Sequence, residues 1–257
     1  MSGSSGERLM SILDLFTEDR LEWSPQEIME LLGYSRPTLY RYLKLLKDTG
    51  FLSPVHGGGY GLGPRFVEMD FLTRKSDPLV AHGQVHLTAL SQAYPGNAFL
   101  VRWYGERLLC VASASTDATA RTSYPRGRPM PLTGGAAAKA ILANLPQRQR
   151  QELAQRKDAG ALGSSEAAIL KSFRAIRRDG IARAYGEVTP GIVGVAAPVF
   201  DAGSQPIGSL CVSMDAKAFA RIDANTLADT IRAATLEISG AMAEPRHEAT
   251  QAVGELK

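Results

Sequence analysis

Residues 35–47, SRPTLYRYLKLLK, hold four basic side chains and no acidic one. On an α-helix, an arc of about 80° would collect basic and aromatic side chains, namely Arg36, Tyr40, Lys44 and Lys47. A separate arc of about 100° would collect apolar ones, namely Leu39, Tyr42, Leu43 and Leu46. Guanidinium and ammonium groups bind phosphate oxygens, and arginine also pairs with guanine in the major groove. The segment therefore has the chemistry of a helix that packs with one face and meets a polyanion with the other.

A solvated surface helix is the alternative interpretation of this segment. On such a helix, lysine usually alternates with glutamate at i, i+4. The first 75 residues contain 10 acidic and 9 basic side chains, yet no acidic one lies within residues 35–47. Positive charge is thus concentrated on one segment of a balanced region, which favours a helix that reads double-stranded DNA in the major groove.

The side chains near the start of this helix are predicted to contact DNA bases. This set comprises Arg36, Thr38, Tyr40 and Arg41. Ser35, just before the helix, is predicted to bind DNA beside them. Lys44, and His56 on the glycine-rich segment that follows, are predicted to contact phosphates. Tyr40 suits stacking on a sugar as well as reading a base, and Tyr42 is expected in the core.

Local signals place this segment third in a series of helices. Leu9, Ile12, Leu13 and Phe16 have the spacing of one helix face. Ser24 and Glu27 form the pattern of a capping box that opens the second helix, and Gly33 is expected to end it. Ser35 is expected to cap the third helix. Residues 51–55 and 60–62 flank three glycines, which predicts a β-hairpin, the wing of a winged helix-turn-helix.

The rest of the chain is typical of an α+β domain. Residues 64–94 are predicted to be helical, with a break or kink at Pro78. Beyond them, strand-like runs such as AFLVRWYG and GIVGVAAPVF mix with helical ones, and a last helix is expected from about 216 to 242. This mixture predicts an antiparallel sheet. We divide the chain into a winged helix-turn-helix DNA-binding domain (7–63), a linker helix (64–77), an α+β domain (78–246) and a flexible tail (247–257).

Composition restricts the class of protein. The 257 residues are 44% hydrophobic and 21% charged, enough for a real core, whereas a net charge of +3 identifies no partner. Two cysteines form neither a disulfide framework nor a zinc pattern and fit a reducing cytoplasm. No apolar run approaches 18 residues, and the first ten lack the apolar core of a signal peptide, so we expect no membrane association. Residues Met1 to Gly6 are not used in predicting the fold.

No motif predicts a metal site, a cofactor or a catalytic centre. The run HGQVH lacks the glutamate of zinc proteases, so His82 and His86 are expected at a surface or interface. Cys211 and Ser213 have no recognisable base partner. We therefore expect no enzyme. Two alternatives stay open: a small-molecule enzyme on the second domain, and an adaptor whose winged helix binds protein.

Taken in order, these segments resemble the IclR family of bacterial transcription regulators over about residues 8–242. The front part, SPQEIMELLGYSRPTLYRYLKLLKDTGFL followed by GGGYGLG, resembles the family's winged helix. GRPMPLTGGAAAKAILANL and RDGIARAYGEVTPGIVGVAAPVFDAGSQPIGSLCVSM resemble its second domain. The resemblance implies a GAF-like domain that binds a small organic or aromatic acid. It also implies a homodimer or homotetramer on palindromic operators, with repression as our working assignment.

The sequence departs from the family pattern at the expected effector site. Gly134, Gly135 and Ala136 replace a more polar segment, and Ala184 and Gly194 replace an aspartate and a polar residue. Cys211 and Ser213 match two small polar positions of the last strand. The resemblance thus implies an effector site with fewer polar groups and more room. With Trp103, Tyr104, Tyr124 and Tyr185 expected nearby, it favours an aromatic or bulky acid.

Small residues at 134–136 could also form an anion site by themselves. They let backbone N–H groups approach a ligand at the start of a helix. Close packing of that helix on the sheet explains the glycines equally well.

Overall fold

The computed structural model describes residues 4–116 and 124–243. The chain divides between Ser76 and Asp77 into two compact units, here called the N-terminal unit and the C-terminal unit. The predicted tail, 247–257, lies outside the described residues. Within them, no helix has both the length and the apolar character that crossing a bilayer requires.

The N-terminal unit is a winged helix-turn-helix, as predicted. Its elements are α1 (Ser5–Leu13), α2 (Pro25–Leu32), α3 (Arg36–Asp48), β1 (Leu52–Pro54), β2 (Tyr60–Leu62) and α4 (Arg65–Ser76). The capping box is present, because the Ser24 hydroxyl accepts from the Glu27 N–H and the Glu27 carboxylate accepts from the Ser24 N–H. Gly33 ends α2 with a φ of 66°, a conformation that glycine adopts without strain. The predicted first helix is shorter than expected, and Phe16 lies beyond its end.

The core of this unit joins helices α1, α2 and α3 to the wing. Fully or nearly fully buried side chains come from each of these elements, namely Ile12, Ile28, Leu39, Leu43 and Leu52. Burying one such side chain stabilises the fold by about 1.5–3 kcal/mol. Trp23 links the wing to the helices, because it exchanges two backbone hydrogen bonds with Tyr60, at 3.0 and 2.8 Å.

The C-terminal unit alternates helices and strands. Its first half contains α5 (Pro78–Ala93), β3 (Asn97–Trp103), β4 (Leu108–Ala114), β5 (Pro129–Met130), α6 (Ala136–Leu142) and α7 (Gln147–Ala154). A 3₁₀ helix (Ala159–Leu162) leads to α8 (Glu166–Asp179), β6 (Ala182–Tyr185), β7 (Ile192–Phe200), β8 (Pro206–Asp215), α9 (Ala216–Phe219) and α10 (Ala224–Ala243).

Within the described residues, six strands of this unit form one antiparallel sheet in the order β5-β4-β3-β8-β7-β6. Successive side chains point to opposite faces. Phe99 and Val101 belong to a core cluster with α6 and α8, whereas Ala98 and Leu100 belong to a cluster with α5 and α10. The α+β class with an antiparallel sheet is therefore confirmed, and the sheet has helices on both faces.

Two helical predictions differ from the structure. The expected continuous helix from 216 to 242 is wrong, because α9 ends at Phe219 and α10 begins at Ala224. Asp223 starts the second helix: its carboxylate accepts from the Asn225 N–H at 2.9 Å and the Thr226 hydroxyl at 2.7 Å. Helix α7 was not predicted, because only its last two residues are buried and its sequence, QRQRQELA, has no apolar stripe.

Candidate nucleic-acid interface and effector cavity

Helix α3 has one buried and one exposed face. The buried side chains are Leu39, Tyr42, Leu43 and Leu46, all at most 4% exposed. The exposed residues include four basic ones and one aromatic, Arg36, Tyr40, Arg41, Lys44 and Lys47. Among the described residues, Arg36, Arg41 and Lys44 form no ion pair with a carboxylate. Lys47 lies 4.0 Å from the Asp48 carboxylate. Most of this basic face is thus not neutralised by the protein's own acids, and we call it the α3 basic face.

Aromatic rings lie beside two of these arginines. The guanidinium carbon of Arg36 is 5.6 Å from the centre of the Tyr40 ring, and that of Arg41 is 5.4 Å from the Tyr42 ring. Both distances lie within cation–π range. The rings restrict where the arginine side chains point, which reduces the entropy that a DNA contact would cost.

The start of α3 differs in one detail from the prediction. Ser35 occupies the cap position, but its hydroxyl accepts no backbone hydrogen bond and instead donates to the Thr38 hydroxyl at 2.9 Å. A cap side chain accepts from the second or third helical N–H. Pro37 is the second helical residue and has no N–H, which removes one of the two donors.

The wing lies next to α3 in the same unit. Its tip carries the exposed His56, and the backbone turns there through a hydrogen bond from Val55 N to Gly59 O at 3.0 Å. The structure therefore presents all seven predicted DNA-contacting residues on α3, its cap and the wing.

The C-terminal unit contains a cavity between the sheet and the start of α6, here called the effector cavity. The volume of this cavity is about 60 Å³, which is several times the volume that one buried water needs. Its lining is Phe99, Tyr124, Met130, Gly135, Ala136, Ala137, Ala184, Glu187, Val188, Thr189, Ile192, Gly194, Cys211 and Ser213. Strands β3, β6, β7 and β8 form its floor, and the β6–β7 turn forms one side.

Close packing brings α6 to the sheet at this cavity. The buried Ser209 hydroxyl of β8 donates to the Ala137 carbonyl at 3.1 Å. A side chain at Gly194 would put its Cβ 3.3 Å from the Ala136 Cβ, so glycine permits the approach. Close packing of α6 on the sheet is thus present at Gly194, whereas the anion-site interpretation of residues 134–136 stays a prediction.

Seven of the ten effector-site candidates line this cavity: Tyr124, Gly135, Ala136, Ala184, Gly194, Cys211 and Ser213. Gly134 precedes the lining residues and is buried. Trp103 instead lines a groove with Leu153 of α7. Tyr185 is 61% exposed and contacts Phe219, because neighbouring residues of β6 point to opposite faces and Ala184 takes the cavity side. Neither Trp103 nor Tyr185 is among the described residues that line the effector cavity.

Sequence reasoning missed the ion pair at the cavity wall. Glu187, in the β6–β7 turn, accepts a hydrogen bond from the Gly135 N–H at 3.0 Å and pairs with the Lys139 ammonium. The side chains are 10% exposed for Lys139 and 22% for Glu187, although the Glu187 backbone lies in an exposed turn. A single lysine within the apolar helix AAAKAIL was the available signal, since a buried ammonium needs a partner.

The other titratable groups of the cavity are neutral. Burial raises the pKa of the Cys211 thiol. Burial also raises the pKa of the neighbouring Cys110 thiol, to about 11. Burial also raises the pKa of Tyr124, which keeps its phenol protonated as a hydrogen-bond donor. Among the described lining residues, Glu187 alone carries a charge. These thiols are not activated nucleophiles, which require a lowered pKa.

A helix-turn-helix unit followed by a domain with a ligand-sized cavity defines a transcription regulator with an effector domain. Residues 5–56 match the family model described as the IclR helix-turn-helix domain, and residues 72–240 match that described as bacterial transcriptional regulator IclR C-terminal. The chain belongs to the IclR family of bacterial transcription regulators.

Similar proteins span nearly the whole chain. The HTH-type transcriptional regulator XynR of Escherichia coli (strain K12) is 27% identical over 249 residues, 94% of this chain and 98% of XynR. The IclR transcriptional regulator of Alicyclobacillus acidocaldarius has a TM-score of 0.75 at 21% identity, covering 94% of this chain and 100% of its own. An IclR homologue from Microbacterium hydrocarbonoxydans, complexed with 4-hydroxybenzoate, has a TM-score of 0.75 at 18% identity, covering 93% and 99%. The two solved structures show that the fold is shared.

Proposed function

We propose that this protein is a ligand-responsive regulator that binds a specific sequence in double-stranded DNA. The α3 basic face carries the proposal, because it is exposed and backed by a buried leucine row, and because its Arg36, Arg41 and Lys44 form no ion pair among the described residues. In this proposal, Arg36, Thr38, Tyr40 and Arg41 contact base edges, with Ser35 beside them. Lys44 and His56 contact phosphates.

The effector in this proposal is a small organic acid, with an aromatic acid preferred. The effector cavity supports an apolar ring through Phe99, Met130 and Ile192 and offers polar groups through Tyr124 and Ser213. A structural neighbour that was solved with 4-hydroxybenzoate supports the same class of ligand.

Regulation then follows from a difference in affinity. An effector changes DNA binding only if it binds one arrangement of the DNA-reading units better than another. We propose that this arrangement belongs to a homodimer or homotetramer on a palindromic operator.

A paired-arginine variant tests the DNA-reading role. The wild-type protein should select a palindromic site from a library of genomic fragments at low salt. Arg36→Ala combined with Arg41→Ala should weaken binding to that site about 30-fold or more, because each bidentate arginine–guanine pair contributes about 1–3 kcal/mol of discrimination.

The control is Arg148→Ala, an exposed arginine of α7 in the C-terminal unit. Fluorescence anisotropy titrations with the DNA site should give the same affinity for this control as for the wild type. Circular dichroism should show that the control and the double-arginine variant are both folded. Equal binding by the wild type and the double variant would exclude α3 as the reading helix.

A thermal-shift screen of organic and aromatic acids tests the effector, since a bound ligand raises stability with the logarithm of its concentration.

A further inference from the structure

The buried ion pair at the effector cavity presents a problem for an acidic ligand. Among the described residues that line the cavity, there is no cation. The ammonium of Lys139 is adjacent, but the Glu187 carboxylate covers it. An effector carboxylate that entered with Glu187 in place would lie beside a like charge, which is unfavourable in a partly buried site.

We propose that Glu187 is an internal stand-in for the effector's carboxylate, and that an acid binds by displacing Glu187 from Lys139. This inference rests on the proposed function, because it assumes an acidic effector. The incoming carboxylate would take over the two donors that Glu187 now uses, the Lys139 ammonium and the Gly135 N–H.

The exchange leaves no buried charge without a partner. Lys139 trades one carboxylate for another, so the large penalty of an unpaired buried ammonium does not arise. Glu187 can leave without unfolding any strand, because it lies in the turn between β6 and β7 and its backbone already faces solvent.

The turn itself has the means to move. Gly186 and Gly191 flank it with φ values of 67° and 80°, and glycine changes such angles at low cost. The turn is closed by hydrogen bonds from Gly186 N to Ile192 O at 2.8 Å and from Ile192 N to Thr189 O at 3.1 Å. The Glu187 side chain attaches this turn to α6 through Lys139 and the Gly135 N–H, and displacement would remove that attachment.

Selectivity follows from the same exchange. Because one carboxylate replaces another, the charge contributes little net affinity. The discrimination between acids therefore comes from the apolar wall, chiefly Phe99, Met130, Val188 and Ile192. Ring-bearing acids should bind more tightly than two-carbon acids.

Glu187→Gln is the direct test, with 4-hydroxybenzoate and its neutral amide, 4-hydroxybenzamide, as probes in isothermal titration calorimetry. The variant keeps the shape of the side chain and removes the competing charge. It should bind 4-hydroxybenzoate at least about tenfold more tightly than the wild type. The acid then displaces a neutral amide from Lys139 instead of a carboxylate, and the hydrogen bond between two charged groups is stronger by about that factor. Binding of the amide should change by about twofold or less, within the scatter of a neutral contact.

Glu152→Gln is the matched control, because Glu152 is also ion-paired, with Arg148, but lies on α7 outside the cavity lining. It should bind both probes as the wild type does. If Glu187→Gln binds the acid no more tightly than the wild type, the inference is wrong.

A double variant decides the matter if Glu187→Gln fails to fold with an unpaired Lys139. Lys139→Met with Glu187→Gln removes both charges, and it should bind the acid no more tightly than the amide. A preference for the acid in this double variant would overturn the inference.

The wild-type results separate this inference from the proposed function. If wild type, Glu187→Gln and the double variant all bind no acid from an organic and aromatic panel, the effector proposal and this inference both fail. If the wild type binds an acid but Glu187→Gln gains nothing, only the inference fails.

Discussion

Two helical glycines of the C-terminal unit should respond to the same substitution with opposite signs. Replacing glycine by alanine inside a helix normally stabilises a protein by about 0.5–1 kcal/mol. At Gly240 in α10, an added Cβ meets nothing within 4 Å. Gly240→Ala should therefore show the full gain.

At Gly83 in α5 the same methyl group would clash. Its Cβ would lie 2.3 Å from Leu100 Cδ1 and 3.3 Å from Leu100 Cγ. Leu100 is fully buried in β3 and cannot turn away without moving its neighbours. Overpacking costs about 1–3 kcal/mol, so after the helix gain Gly83→Ala should destabilise the unit by about 1 kcal/mol.

Thermal unfolding followed by tryptophan fluorescence measures both effects. The chain has two tryptophans, Trp23 in the N-terminal unit and Trp103 in the C-terminal unit. On a Trp23→Phe background, Trp103 reports the C-terminal unit alone. Gly240→Ala should raise its midpoint by about 2 °C and Gly83→Ala should lower it by about 2–4 °C.

A second substitution tests the cause. Leu100→Val shortens the side chain by one carbon and removes the clashing Cδ1 atom, so the double variant with Gly83→Ala should be less destabilised than the two single variants added together. Simple additivity, or a stabilised Gly83→Ala, would refute the reasoning. The contact also concerns function, because Phe99, next to Leu100, lines the effector cavity from the other face of β3.

Three further outcomes are expected. Lys44→Ala should reduce the slope of log affinity against log salt by about 0.9 for each DNA-bound unit, and an unchanged slope would exclude a phosphate contact. Hydrogen bonds from Ser24 and Arg20 lower the pKa of Glu27 from 4.5 to about 2. The stability that this carboxylate contributes is complete above pH 4.5 and is lost as the pH falls towards 2. Curves of unfolding free energy against pH for Glu27→Gln and the wild type should therefore converge in acid. A thiol reagent at pH 8 should not react with Cys110 or Cys211 until the protein unfolds, because burial raises the pKa of both thiols. Rapid reaction of the native protein would contradict their burial.

Much of the N-terminal unit was predictable because its signals are local. The capping box of Ser24 and Glu27 lies within four residues, and the two faces of α3 lie within thirteen. Such short-range patterns depend on helix geometry alone. The structure changed only details there, such as the Ser35 hydroxyl, which bonds Thr38 rather than the backbone.

The cavity was only partly predictable, since its walls come from distant segments. Sheet register places Ala184 opposite Gly194, Gly194 opposite Ser213, and Phe99 opposite Cys211. Small residues at these positions were identified through the family resemblance, whereas the aromatic candidates depended on which face each side chain took.

The sequence by itself determined the two ends of α2, the wing, the α3 basic face and the mixture of strands and helices in the C-terminal unit. Tertiary structure alone decided that Tyr185 points away from the cavity, that Gly83 lies against Leu100, and that Glu187 meets Lys139 across 48 residues. The physical reason is that periodicity sets which side chains share a face. Which faces then meet depends on strand register and helix packing, and these are set by the whole core at once.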